Sequence, residues 1–93
     1  MTATLGCYVL PGGVSDPGPV IAQAQAAEIQ GLGTVWIGER YDTKDLPSLA
    51  GALSQTTERV RIAAGITHPG LRHPMVLASM GQTLQALSGG RFM

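Results

Sequence analysis

Three stretches of this sequence set polar side chains in backbone that is unusually rigid or unusually permissive. The fullest is Ala64-Gly65-Ile66-Thr67-His68-Pro69-Gly70-Leu71-Arg72-His73-Pro74, with two histidines and one arginine within six positions. A solitary histidine is more often a cap or a surface residue than a catalyst, and Arg72 could simply pair with a carboxylate. His73 precedes Pro74, which biases it toward extended backbone at a helix start, so it reads as structural. His68 is the better ligand candidate. The second stretch, Trp36-Ile37-Gly38-Glu39-Arg40-Tyr41-Asp42, sets a carboxylate three residues beyond a tryptophan. Glu39 could orient a cofactor or move a proton, and burial beside apolar strands would raise its pKa. The plainer reading is a surface pairing of Glu39 with Arg40, or of Asp42 with Lys44, worth little energetically. The third stretch, Pro11-Gly12-Gly13, could let backbone approach a ligand at Gly12, or could be an ordinary turn.

All three stretches follow apolar runs that read as strands. Those runs are Thr4 to Leu10, Thr34 to Ile37 and Val60 to Ala64, and Arg91-Phe92 begins a fourth. Between them lie three helical patterns. One spans Pro19 to Gln30, with Asp16 and Pro17 as start signals and Gly31 suited to a left-handed cap. The next spans Leu46 to Thr57, capped by Asp45, with Leu46, Leu49 and Leu53 on one face. The last spans Pro74 to Leu87, where Leu77, Met80, Leu84 and Leu87 form an apolar stripe and the methionines read as core. The spacings from Leu5 to Thr34, Thr34 to Ile62 and Ile62 to Arg91 are 29, 28 and 29 residues. Strands alternating with helices at an even pitch predict a parallel α/β sheet, either doubly wound or closed into a (β/α)₈ barrel. In both, ligands sit at the C-terminal ends of the strands, where the three polar stretches fall. At this pitch eight units fill the roughly 250 residues typical of the barrel. The expectation is therefore one partial domain over residues 1–93, the N-terminal three units and the start of a fourth strand of a longer barrel.

Composition narrows the function classes. Six basic residues balance six acidic ones, with no run of one sign, which argues against binding nucleic acid by phosphate neutralisation. Charged residues make up 13% of the chain against about 25% in an average domain, so much of this surface is expected to be covered. The single Cys7 lies in an apolar run and reads as a small core residue, and no Cys/His spacing suits a metal. Gly31-Leu32-Gly33 lacks a third glycine and precedes a strand, so it is no dinucleotide fingerprint. With no secretory or membrane-spanning pattern, a cytoplasmic location is expected.

The stretch Arg61 to Ser79, followed by Thr83-Leu84 and Leu87-Ser88-Gly89-Gly90-Arg91-Phe92, resembles the third strand and helix of bacterial luciferase-like flavin- and deazaflavin-dependent oxidoreductases. Trp36 to Arg40 resembles the end of their second strand. The resemblance implies a (β/α)₈ barrel that binds the deazaflavin coenzyme F-420 or, alternatively, FMN, and performs hydride transfer or monooxygenation on a small-molecule substrate. The Gly65-Ile66-Thr67 segment favours the deazaflavin branch. It further implies a non-prolyl cis peptide at Gly65-Ile66, with Gly65, Ile66 and Thr67 as a backbone shelf under the ring, Gly12 approaching from the first strand, and Glu39 and His68 near the reacting centre. Arg40 stands where many relatives have histidine, so an acid–base pair with Glu39 is not part of what carries over. A homo-oligomer is implied for the full-length enzyme, and the 93 residues alone are expected to be inactive. A different class remains, a non-catalytic interaction module that pairs through exposed sheet edges.

Overall fold

The computed structural model describes residues 5–9, 16–40 and 44–93. Gly12 and Asp42 lie outside the described residues. The elements run β1 (Gly6–Tyr8), α1 (Pro19–Ile29), β2 (Thr34–Ile37), α2 (Leu46–Thr56), β3 (Arg61–Ala64) and α3 (Pro74–Leu87), with a single 3₁₀ turn at Pro69–Leu71 before α3.

Each helix has an identifiable beginning and end. Helix α1 starts with a proline in its first turn, where the missing N–H costs nothing, but its N-cap is Gly18 with no side-chain bond, so Asp16 does not cap it. Gly31, at φ +83°, turns the chain out, and Leu32 N–H and Gly31 N–H return to the carbonyls of Ala27 and Glu28. Helix α2 is capped by Asp45, whose carboxylate accepts from Ser48 N at 3.2 Å. Helix α3 is capped by His73, whose Nδ1 accepts from Met75 N at 3.1 Å, consistent with its structural reading. It ends at Gly89, φ +66°, with Gly90 N–H bonded to Gln85 O.

The sheet is parallel in the order β1-β2-β3, with Gly6, Thr34 and Arg61 in one register row and Tyr8, Trp36 and Ala63 in another. Residues 91–93 extend it as the opening of a fourth parallel strand: Ile62 N bonds Arg91 O, Met93 N bonds Ile62 O and Ala64 N bonds Met93 O, all within 2.9 Å. Strand alternation then separates two faces. Val35, Ile37 and Ile62, with Cys7 and Ala64 at the margin, pack against Val20, Ala24 and Ala27 of α1, Leu46, Ala50 and Leu53 of α2 and Leu84 of α3 in a single core. That core lies wholly on one side of the sheet. Gly6, Tyr8, Thr34, Trp36 and Arg61 occupy the other. Among the described residues helices lie on one face only, as in an arc of a barrel wall, whereas a doubly wound sheet carries helices on both.

Helix α3 departs from the sequence reading. Of its apolar stripe only Leu84 is buried; Met80 is partly covered, Leu87 is 47% exposed and Met75 is 76% exposed, so Met75 is not core. The spacing places these side chains along the helix correctly, but α3 packs chiefly on α2, and Met75 and Leu87 stay exposed.

Candidate active site

The C-terminal ends of β2 and β3 are joined beyond the strands themselves. Gly65 N donates to Ile37 O at 2.8 Å, and Glu39 N donates to Ile66 O at 3.0 Å. The peptide between Gly65 and Ile66 is cis, as the resemblance implies. Gly65 has no room for a side chain, since a Cβ there would stand 2.6 Å from Trp36 Cε3 and 3.3 Å from the Tyr8 hydroxyl. Gly6 is restricted in the same way: its Cβ would stand 3.0 Å from Trp36 Nε1 and 2.8 Å from Thr34 O. The indole therefore lies across the open face from β1 to the end of β3, with the Tyr8 ring 6.4 Å away and tilted by 38°. Ile66 beside it is 68% exposed and Tyr8 59% exposed, leaving an apolar and aromatic surface open at the mouth of the strands.

Glu39 is buried just outside this surface and holds the loop that follows β3. Its Oε1 accepts from Arg72 Nη1 at 2.7 Å, Thr67 Oγ1 at 2.8 Å and His68 N at 3.4 Å. Its Oε2 accepts from Arg72 Nη2 and from Leu46 N, the latter at 3.1 Å at the start of α2. Arg72 Nη1 also reaches Thr67 Oγ1 at 3.2 Å, and Asp45 lies 3.7 Å from Nη2. A single carboxylate thus ties the loop 67–72 to the first turn of α2.

The electrostatic consequence reverses the sequence expectation. Burial alone would raise the Glu39 pKa, but the paired Arg72 guanidinium outweighs it, aided by the Leu46, Thr67 and His68 donors, and lowers it to about 2. Arg72 is in turn held more firmly protonated by Glu39. At neutral pH Glu39 carries no proton, and both of its oxygens are engaged. Glu39 thus takes part in a buried pair with a residue 33 positions away, whereas the plainer sequence reading offered only surface pairings.

The structure brings Glu39, Gly65, Ile66, Thr67 and the His68 backbone together at the ends of β2 and β3. The His68 side chain is exposed beside them, and Gly12 lies outside the described residues. Sequence reasoning gave Arg72 only as a possible partner for some carboxylate and did not single out Tyr8. Among the described residues no group of histidine, cysteine, aspartate and glutamate could hold a metal ion, and no helix is long and apolar enough to cross a membrane.

Known proteins resemble this chain in sequence and in fold. Over 89 residues, 95% of this chain, the sequence is 36% identical to the 5,10-methylenetetrahydromethanopterin reductase of Methanolobus tindarius, of which that span is 26%. The coenzyme F-420-dependent tetrahydromethanopterin reductase of Methanopyrus kandleri superposes over the whole chain and 26% of its own length, with a TM-score of 0.84 and 30% identity. The oxygenating constituent of 3,6-diketocamphane monooxygenase of Pseudomonas putida, solved in complex with FMN, shares the fold at 20% identity, with a TM-score of 0.80 over the whole chain and 29% of its own. The chain thus spans about a quarter of the length of such relatives. The family model for luciferase-like monooxygenases matches residues 2–93, and the chain belongs to that family.

Proposed function

We propose that the protein carrying these residues is an oxidoreductase that uses the deazaflavin coenzyme F-420, with FMN as the alternative within the same class. The observation that carries this reading is the open floor at the strand ends, in a chain 36% identical to a reductase of this kind. Trp36, Tyr8 and Ile66 present an apolar surface with backbone polar groups at its edge, which suits a planar heterocycle. When bound, such a coenzyme supplies hydride transfer, two electrons and a proton moving together to or from a small-molecule substrate.

The chain's own residues provide placement and electrostatics. Gly65 and Ile66 form the backbone shelf, and Thr67 fixes it to Glu39. Glu39 acts through Arg72 and Thr67 as a positioning residue, because a carboxylate ionised down to about pH 2 is a poor acid or base near neutrality. The exposed His68 imidazole stands at the rim, where it can meet coenzyme or substrate, and Gly12, outside the described residues, is assigned to the coenzyme site by the resemblance alone. A homo-oligomer and a cytoplasmic location belong to the same proposal; a lone cysteine inside a strand suits a reducing compartment.

Equilibrium dialysis of the complete polypeptide against oxidised coenzyme F-420 and against FMN tests the reading. Saturable binding of F-420, with turnover of its absorbance in the presence of substrate, is expected. Binding of FMN alone would move the assignment to the monooxygenase branch, and binding of neither would refute it.

A further inference from the structure

Tyr8 lends its ring to the apolar floor, but the part played by its hydroxyl has not been assigned, although the residue's position is well defined. It ends β1 on the open face, pairs in register with Trp36, and its hydroxyl lies beside the Gly65 α-carbon, close enough that a Cβ there would be 3.3 Å away. The residue is 59% exposed at the mouth of the strands. A phenol donates and accepts, so this oxygen can exchange its solvent contact for a bond to a ligand that covers the face. The Trp36 ring stands 6.4 Å from the Tyr8 ring, and the oxygen lies on the Gly65 side of it. A polar handle of this kind, fixed at the C-terminal end of a barrel strand, is how such sites orient a ligand that is otherwise held by apolar contact.

We infer that Tyr8 is a positioning residue for the redox ring: its hydroxyl donates a hydrogen bond to a carbonyl oxygen or ring nitrogen of the bound heterocycle beside Gly65. This inference rests on the function proposed above. The apolar floor alone would allow the ring to slide or turn over in its plane, and one fixed donor at the edge selects an orientation.

The test is Tyr8→Phe in the complete polypeptide, which removes one oxygen and keeps the ring that packs against Trp36. Three measurements are made on it and on the unchanged protein: thermal midpoint, coenzyme F-420 affinity by dialysis, and the absorption maximum of the bound coenzyme. The expected result is an unchanged midpoint, affinity weakened about three- to tenfold, and an absorption maximum displaced toward that of the free coenzyme. A purely structural role would leave the last reading where it was. Unchanged affinity and absorption in the variant overturn the inference while leaving the proposed function standing; failure of the unchanged protein to bind F-420 overturns both. Should Tyr8→Phe lower the midpoint, Tyr8→Trp, which keeps a donor on a larger ring, distinguishes the two causes: a retained band position supports the inference, and the free-coenzyme position overturns it.

Discussion

At the scale of single residues, Glu39 shows how a carboxylate at the mouth of a site can be committed to architecture. Its two oxygens receive five donors, and its partner Arg72 is itself largely enclosed, with side-chain exposures of 3% and 14%. Glu39→Gln would leave that guanidinium without its counter-charge, and a loss of about 3 kcal/mol is expected, seen as a lowered urea midpoint at pH 7. The same pairing has a pH signature. Because the folded-state pKa is depressed from 4.5 to about 2, the stabilisation is fully present above pH 4.5 and is lost as the pH falls through that interval to about 2. Unfolding midpoints measured between pH 2 and pH 6 should show this descent in the unchanged protein and a shallower one in Glu39→Gln; parallel curves would refute the assignment. The sequence showed both members of the pair but not the pair itself. Nothing local links residues 39 and 72, and the only available signal was an arginine among a few carboxylates in a chain poor in charge.

At the scale of elements, the same limit shows on the other side of the sheet. Strand β2 and helix α3 occupy the bounds that the spacing gives, and the glycine stops after α1 and α3 are legible because left-handed backbone leaves few alternatives to glycine. What patterning cannot show is whether a face that could be covered is covered, and so the α3 stripe read as core although only Leu84 is fully buried and Leu87 is exposed. It also hid the clamp at the base of the strands. Arg91, opening the fourth strand, donates to Ser88 O, Thr57 Oγ1, Val60 O, Ser54 O and Thr57 O, so that one guanidinium satisfies two of the carbonyls at the end of α2. Nearby, the Glu28 carboxylate accepts from the successive amides of Glu58, Arg59 and Val60, which together outweigh its burial and lower its pKa. Arg91→Lys preserves the charge but supplies three donors on a flexible stem in place of a planar fork. A loss of about 2 kcal/mol is expected in chemical denaturation, together with faster amide exchange at the end of α2. An unchanged midpoint would show that the clamp is redundant.

At the scale of the whole molecule, three parallel strands with helices on one side leave the other side to be closed by more wall, and that open side carries the proposed site. Its geometry is set by a side chain that crosses from strand to strand: the Trp36 indole rests on Gly6 at one end and Gly65 at the other. Gly65→Ala is expected to cost about 1–3 kcal/mol through crowding against the indole. In a Trp36→Leu background the same change should cost much less, as a double-mutant cycle on unfolding free energies would reveal. Gly6→Ala should recover only partly in that background, because its Cβ also meets the Thr34 carbonyl oxygen at 2.8 Å, which no side-chain exchange removes. Positions 6, 36 and 65 are therefore not free to drift one at a time. A lineage that enlarges Gly65 must first shrink the indole, whereas Gly6 stays held by the Thr34 carbonyl whatever stands at position 36, so a redesign that reshapes this mouth for a different coenzyme works around a fixed glycine at one end.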